Sequence, residues 1–283
     1  MSTTARAQTS HRISRNQIIL LVIVSVVVVI QILPLVWTIT ASLKTEGHVF
    51  DYPVSWLPTD PQWVNYANAW AQGMSDWYKT SVIEAIVVTV SQMVFCTMAG
   101  YAFAKLQFPL RNVLFLAILS TLMIPIQLVM VPLYDTMSHL GWVNTYQGLI
   151  APFLVGSFGI FLMRQFAYSL PDELLDAGRI DGCGEISLFW RIAVPNLKIG
   201  MGALGIFTFF GIWSEFFWGL LVSGEDVRPL TVGLALFVQR SDQSSVLTSV
   251  LAGSVIAVAP VLVVFLFLQR FIASGLMIGS IKG

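Results

Sequence analysis

Between residues 18 and 41 the chain runs for 24 positions without one charged side chain. About 20 apolar residues at a 1.5 Å rise cross the roughly 30 Å hydrocarbon core of a bilayer, so such a run constrains the fold more than any other feature. Comparable runs recur at about 81–104, 113–133, 148–166 and 249–271, and a sixth, about 199–222, carries Ser214, Glu215 and several glycines. Apolar residues make up 56% of the 283 positions and charged residues only 11%, leaving too little polar surface to cover a soluble globule. The expectation is an all-α, polytopic membrane protein with six transmembrane helices over residues 18–283, preceded by an N-terminal tail of residues 1–17.

The first run follows Arg6, Arg12 and Arg15. A secretory signal has a shorter apolar region closed by a small-residue cleavage site, and neither condition holds here. The run is therefore read as a retained span. Orientation follows from the basic residues, which concentrate in cytoplasmic loops. With the N-terminus inside, Arg6, Arg12, Arg15, Lys105, Arg111, Arg164, Arg179, Arg191, Lys198, Arg270 and Lys282 are cytoplasmic, and only Lys44, Lys79, Arg228 and Arg240 lie outside. Both termini are then cytoplasmic, with a large outer loop at about 42–80 and a large inner one at about 167–198. The outer loop holds Trp56, Trp63, Trp70 and Trp77, which suit an interfacial belt or a docking surface. Pro34, Pro125, Pro132, Pro152 and Pro260 interrupt the spans and predict kinks, compatible with a static bundle or a gated one.

The inner loop departs from a polar connector. From Leu170 to Pro195 it places Leu, Ile, Phe and Trp side chains outside the membrane. Two short helices around a break are expected. Ser169 is a candidate N-cap, Pro171 suits the first turn, and Asp172 and Glu173 complement the positive helix N-terminus. Gly182 and Gly184 permit a turn. A second helix follows from Glu185, with Ile186, Phe189 and Ile192 at helical spacing and Pro195 at its exit. The apolar stripe either folds back on its own bundle or fits a groove on another protein.

At this point the residues resemble a known family. Asp176, Ala177 and Gly178, then Ile180, Asp181 and Gly182, then Phe189, Arg191, Ile192 and Pro195 are similar in order and spacing to the EAA loop of ABC-importer permeases. Asp176 stands where Glu is usual and Gly178 where a second Ala is usual. Trp213-Ser214-Glu215-Phe216-Phe217-Trp218, Tyr101-Ala102-Phe103-Ala104-Lys105 and Met123-Ile124-Pro125-Ile126-Gln127 also resemble that family, most of all carbohydrate-importer permeases of the maltose MalG-like type. The resemblance implies a type I ABC importer permease fold, one half of a pore shared with a second permease. It also implies two ATP-binding subunits that use ATP and Mg, an extracellular solute-binding protein, and a sugar or sugar-like solute. Asp176, Ala177, Gly178, Ile180, Asp181, Gly182, Phe189, Arg191 and Pro195 would form its ATPase-coupling element.

The remaining sequence chemistry agrees with a transport subunit. The chain has no G-x-x-x-x-G-K-[ST] phosphate loop, no H-E-x-x-H and no G-x-S-x-G, so neither ATP hydrolysis nor peptide or ester hydrolysis is expected of it. A net charge of zero and the lack of a basic tract argue against nucleic acid. Cys96 and Cys183 lack metal-ligand spacing and are expected to form neither a disulfide nor a metal site. Polar residues inside spans tend to face the bundle interior. Gln31, Gln92, Gln127, Ser157, Ser214 and Glu215 are candidates to line a pathway, or else to form interhelical hydrogen bonds. Glu215 is read as the one ionisable residue within a span, unless it lies near the outer interface. Rival readings are a secondary transporter and a membrane assembly protein without ATP coupling.

Overall fold

The computed structural model describes residues 14–240 and 247–280, with side chains described through Gln239 and over residues 247–267. Arg6, His11, Arg12, Lys282, most of the tail over 1–17 and the side chains of Arg240 and Arg270 lie outside the described residues. Among the described residues the chain is helical with no strand. Helix α1 (Arg15–Ser42) starts on a capping box in which Ser14 and Gln17 satisfy each other's backbone N–H groups. At its far end Asn65 Nδ2 donates to the carbonyls of Ser42 and Lys44, both at 2.9 Å. The apolar surface of α1 is almost wholly uncovered by its own chain.

Helix α2 (Val64–Ala69) and α3 (Ser75–Lys105) follow one another across a kink at Trp70–Met74, where Gln72 and Gly73 leave helical geometry, and together they span 42 residues. The outer segment without helix is therefore shorter than the expected 42–80. Trp70 and Trp77 lie on the helical run, and Trp77 packs against Phe237 at 6.3 Å between ring centroids. Hydropathy registers the part of a helix that needs an apolar medium, whereas helical hydrogen bonds close within the segment and persist beyond it. A left-handed Gly73 (φ +100°) resets the phase within this run.

Two spans are broken. The run expected over 113–133 folds as α4 (Arg111–Thr121) and α5 (Ile126–His139), which meet at 97°. Pro125 has no N–H to donate and disfavours helical geometry at Ile124, so the chain leaves α4 through tight turns from Leu122 to Ile124. The run expected over 148–166 begins with α6 (Tyr146–Ile150) and a 3-10 turn (Ala151–Phe153), then meets α7 (Ser157–Tyr168) at 41°. Four helical runs are long and apolar enough to cross a membrane singly, and the two bent pairs raise the number to as many as six.

Beyond α7 come α8 (Asp172–Ile180), α9 (Glu185–Leu188), a π-turn (Phe189–Ala193) and α10 (Val194–Trp213). Glu185 to Trp213 is one continuous helical run, so Pro195 does not mark a helix exit. In the π-turn the Val194 N–H reaches back five residues to the Phe189 carbonyl. The widened turn relieves the clash that a proline ring makes with the i−4 carbonyl of an ordinary helix. The run expected over 199–222 also divides: α10 ends at Trp213, and α11 (Phe217–Val222) follows after a three-residue break. Helices α12 (Leu230–Arg240) and α13 (Leu247–Ser280) complete the chain.

Helix α3 is the axis of the bundle, packed along α7 and α10. Its Gly100 allows the closest approach: a Cβ there would lie 2.7 Å from the Arg164 backbone nitrogen. Two apolar cores result. One gathers Met74, Trp213 and Trp218 at the end nearer α2. The other gathers Tyr101, Met163, Leu175 and Phe189 at the end nearer α8.

Candidate functional site

The loop over 170–195 folds as two helices around a turn, and it divides its apolar residues between two faces. Leu175 (1% exposed), Leu188 and Phe189 (7%) point into the bundle core, where Phe189 meets Tyr101 at 5.3 Å between ring centroids. Ile180 (86% exposed) and Ile186 (79%), with half-exposed Trp190, point away from it. The first group realises the self-packing alternative, and the second is an apolar face that the chain itself leaves uncovered. Asp176, Ala177, Asp181, Gly182, Arg191 and Pro195 are exposed, whereas Gly178 and Phe189 are buried. Phe189 anchors the loop and offers no surface to a docking partner.

Local chemistry accounts for the shape. Ser169 is not the N-cap: its hydroxyl donates back to the Phe166 carbonyl, and Pro171 occupies the cap position of α8. Lys105, at the end of α3, holds the entry instead. Its Nζ donates to the Leu170 carbonyl at 2.6 Å and to Asp172 Oδ1 at 2.7 Å. Gly178 lies where α8 crosses the next helix, since a Cβ would come within 2.6 Å of Ile192 Cδ1 and Leu188 Cδ2. Gly182 takes φ +85° and carries the turn, while Gly184 stays in the extended region. Arg179 spans the turn, donating to Asp176 at 2.8 Å and to Glu185 at 3.0 Å. These two hydrogen bonds, the one to Glu185 first, raise the guanidinium pKa above its ordinary value.

A second site lies between the broken spans. A helix break frees carbonyls, and in an apolar surrounding they must find donors within the protein. Three side chains of α3 supply them. Ser91 Oγ donates to the Leu154 carbonyl and Gln92 Nε2 to the Phe153 carbonyl, both at 2.9 Å, and Cys96 Sγ to the Gly156 carbonyl at 3.5 Å. Gln92 also accepts from Thr208 of α10 at 3.1 Å. Across the gap Thr121 and Ser157 share a 2.6 Å hydrogen bond that joins the two breaks. Of these groups, Gln92, Thr121, Ser157 and Thr208 line a cavity of about 540 Å³.

Of the pathway candidates, Gln92 and Ser157 line this cavity. Gln31 and Gln127 are exposed on α1 and α5 and do not join it, and Ser214 bonds back to the Phe210 carbonyl. The Glu215 carboxylate accepts from the N–H groups of Trp218 (2.9 Å) and Gly219 (3.0 Å), capping the start of α11. Glu215 is not the sole carboxylate in the spans. Glu84 on α3 is 2% exposed, its Oε1 has no hydrogen-bond partner, and it interacts electrostatically with Glu215. Its signal was a lone acid within the run 81–104. Thr121, Thr208 and Lys105 carried no such signal, because their roles depend on partners 36 to 116 residues away. Among the described residues no group of three or more His, Cys, Asp or Glu is placed to hold a metal ion.

The family model of the binding-protein-dependent transport system inner membrane component matches residues 96–277. The chain belongs to that family. It is 39% identical over 209 residues to the arabinooligosaccharides transport system permease protein AraQ of Halalkalibacterium halodurans, covering 73% of this chain and 74% of that protein. It is 30% identical to the sn-glycerol-3-phosphate transport system permease protein UgpE of Yersinia pestis, covering 88% and 92%. It is also 30% identical to the diacetylchitobiose uptake system permease protein NgcG of Streptomyces coelicolor, covering 98% and 92%. Its fold matches a chain of a bacterial ABC transporter involved in the import of the acidic polysaccharide alginate, with a TM-score of 0.80 over 91% of this chain and 98% of that one, at 22% identity. As a family member the chain is a permease subunit of an ABC importer: a multi-pass protein of the cell membrane that works with a solute-binding protein and an ATPase and is not itself the ATPase. Nothing in these matches favours a secondary transporter or an assembly protein.

Proposed function

We propose that this permease carries a sugar or sugar-like solute across the cytoplasmic membrane, paired with a second permease and driven by two copies of a cytoplasmic ATPase. Both termini face the cytoplasm, six spans cross the bilayer, and the loop over 170–195 is the coupling element. The observation that carries the reading is the two-faced loop. Asp176, Ala177, Ile180, Asp181, Gly182 and Arg191 form or border its free face, while Leu175, Gly178, Phe189 and the Lys105 contacts lock the other face to the bundle. A push on the free face therefore moves α3 with it, and α3 carries the side chains that hold the break at 153–156. Binding of ATP and Mg by the ATPases supplies the differential contact that shifts the bundle between two states. The solute class rests on relatives named for arabinooligosaccharides, diacetylchitobiose and sn-glycerol-3-phosphate.

The test is ATP hydrolysis by the complete complex in proteoliposomes. Addition of the loaded binding protein is expected to stimulate hydrolysis and uptake together, and a complex that responds to neither would sink the proposal. Orientation is tested by a Lys282→Cys variant, which should react with an impermeant maleimide only from the cytoplasmic side.

A further inference from the structure

The cavity between the broken spans has a chemistry narrower than the solute class proposed above. Its polar wall is Gln92, Thr121, Ser157 and Thr208, and its residues include no Asp, Glu, Lys, Arg or His. The volume of about 540 Å³ falls within the range of small-molecule sites, roughly 300–1,000 Å³. Phe158 and Phe207 also line it and stand edge to face, 5.9 Å between centroids at 88°, both substantially exposed.

We infer that this cavity is a solute-holding subsite for a neutral hydroxylated ring, a mono- or oligosaccharide unit without phosphate or carboxylate. The inference rests on the importer reading. After donating to the Phe153 carbonyl, the Gln92 amide keeps one N–H, and hydroxyl oxygens keep acceptor lone pairs for solute hydroxyls. Each of these side chains is already held by a protein hydrogen bond, so the wall is arranged before solute arrives. The negative faces of Phe158 and Phe207 suit the C–H face of a sugar ring. An anion entering would lose its hydration with no cation to replace it.

Gly211 is the position in this wall where a side chain can be added. It lines the cavity from α10, and a Cβ built there meets no atom within 4 Å. A side chain at this position enters the cavity without displacing the fold. The experiment uses the complete complex in proteoliposomes with its cognate binding protein, and measures uptake of labelled arabinobiose, diacetylchitobiose and glycerol 3-phosphate. In the Gly211→Leu complex, uptake of the neutral sugar is expected to fall at least about tenfold, while ATP hydrolysis stimulated by the loaded binding protein stays within about twofold of the parent. In a Cys183→Ser background, Gly211→Cys should react with a small methanethiosulfonate, and the transported sugar should slow that reaction. Unchanged uptake in the leucine variant, no protection of the cysteine, or transport of glycerol 3-phosphate in place of the neutral sugars overturns the subsite. A parent complex with neither stimulated hydrolysis nor uptake overturns the importer reading, and the subsite with it.

Discussion

The chain interrupts its helices in two very different ways at the turn over 181–184 and at the break over 153–156. The turn closes on itself. The Gly182 and Cys183 N–H groups return to the Arg179 and Gly178 carbonyls, Gly182 absorbs the left-handed geometry, and Arg179 ties the flanking helices with its own neighbours. The break cannot do so. Its carbonyls are satisfied by Ser91, Gln92 and Cys96, some 60 residues earlier in the chain. The difference follows the surroundings. In water a turn needs only local geometry, because solvent completes its hydrogen bonds, whereas inside a bundle every freed carbonyl needs a donor from another helix. The turn is consequently self-contained in its hydrogen bonding, and the break is part of the bundle's architecture.

Four substitutions test that contrast, from the largest expected effect to the smallest. Gln92→Leu removes donors and acceptors from the break and leaves both the Phe153 carbonyl and Thr208 short of a partner. It should lower bundle stability by about 1–3 kcal/mol, read as the thermal midpoint in detergent, and should abolish uptake. An unchanged midpoint would mean that the break holds without Gln92. Gly182→Trp should lower that midpoint only by the backbone strain of a non-glycine residue, about 1–2 kcal/mol, since its side chain meets open space, yet it should eliminate stimulated ATP hydrolysis. Normal uptake in this variant would remove the turn from the coupling element. Arg179→Ala breaks two exposed ion pairs, and coupled hydrolysis should fall by less than about fivefold, with the loss shrinking at high salt. Gly178→Ala should be nearly neutral. The atoms it meets are the flexible ends of Ile192 and Leu188, and alanine regains up to about 1 kcal/mol of helix propensity. A large destabilisation there would show a more rigid crossing than the contacts suggest.

Much of the fold was legible because bilayer physics is local. A run such as 18–41 has to be a buried or lipid-facing helix wherever it sits, and α1 follows it closely. The break at Pro125 was legible as a kink but not as a 97° reversal, which depends on what α5 packs against. Pro195 misled for the same reason: the clash it predicts is real, but a π-turn over Phe189–Ala193 absorbs it. In the loop over 170–195 the residue types and their spacing predicted two helices around a turn, whereas periodicity finds an apolar stripe without saying which side the bundle covers, so the burial of Phe189 was not legible. Glu84 was visible as a lone acid in a span, and only its near-complete burial beside Glu215 gives it weight.

By itself, then, the sequence determined the medium, the helical class and the presence of a two-helix loop over 170–195, since each follows from the free energy of short segments in water or lipid. Tertiary structure alone decided which polar groups meet. Gln92 reaches Thr208 across 116 residues, Thr121 reaches Ser157 across 36, and Lys105 reaches Asp172 across 67. Hydrogen bonds of this kind are set by how helices cross. The crossings in turn are set by close contacts such as Gly100 against the α7 backbone, which no single segment encodes.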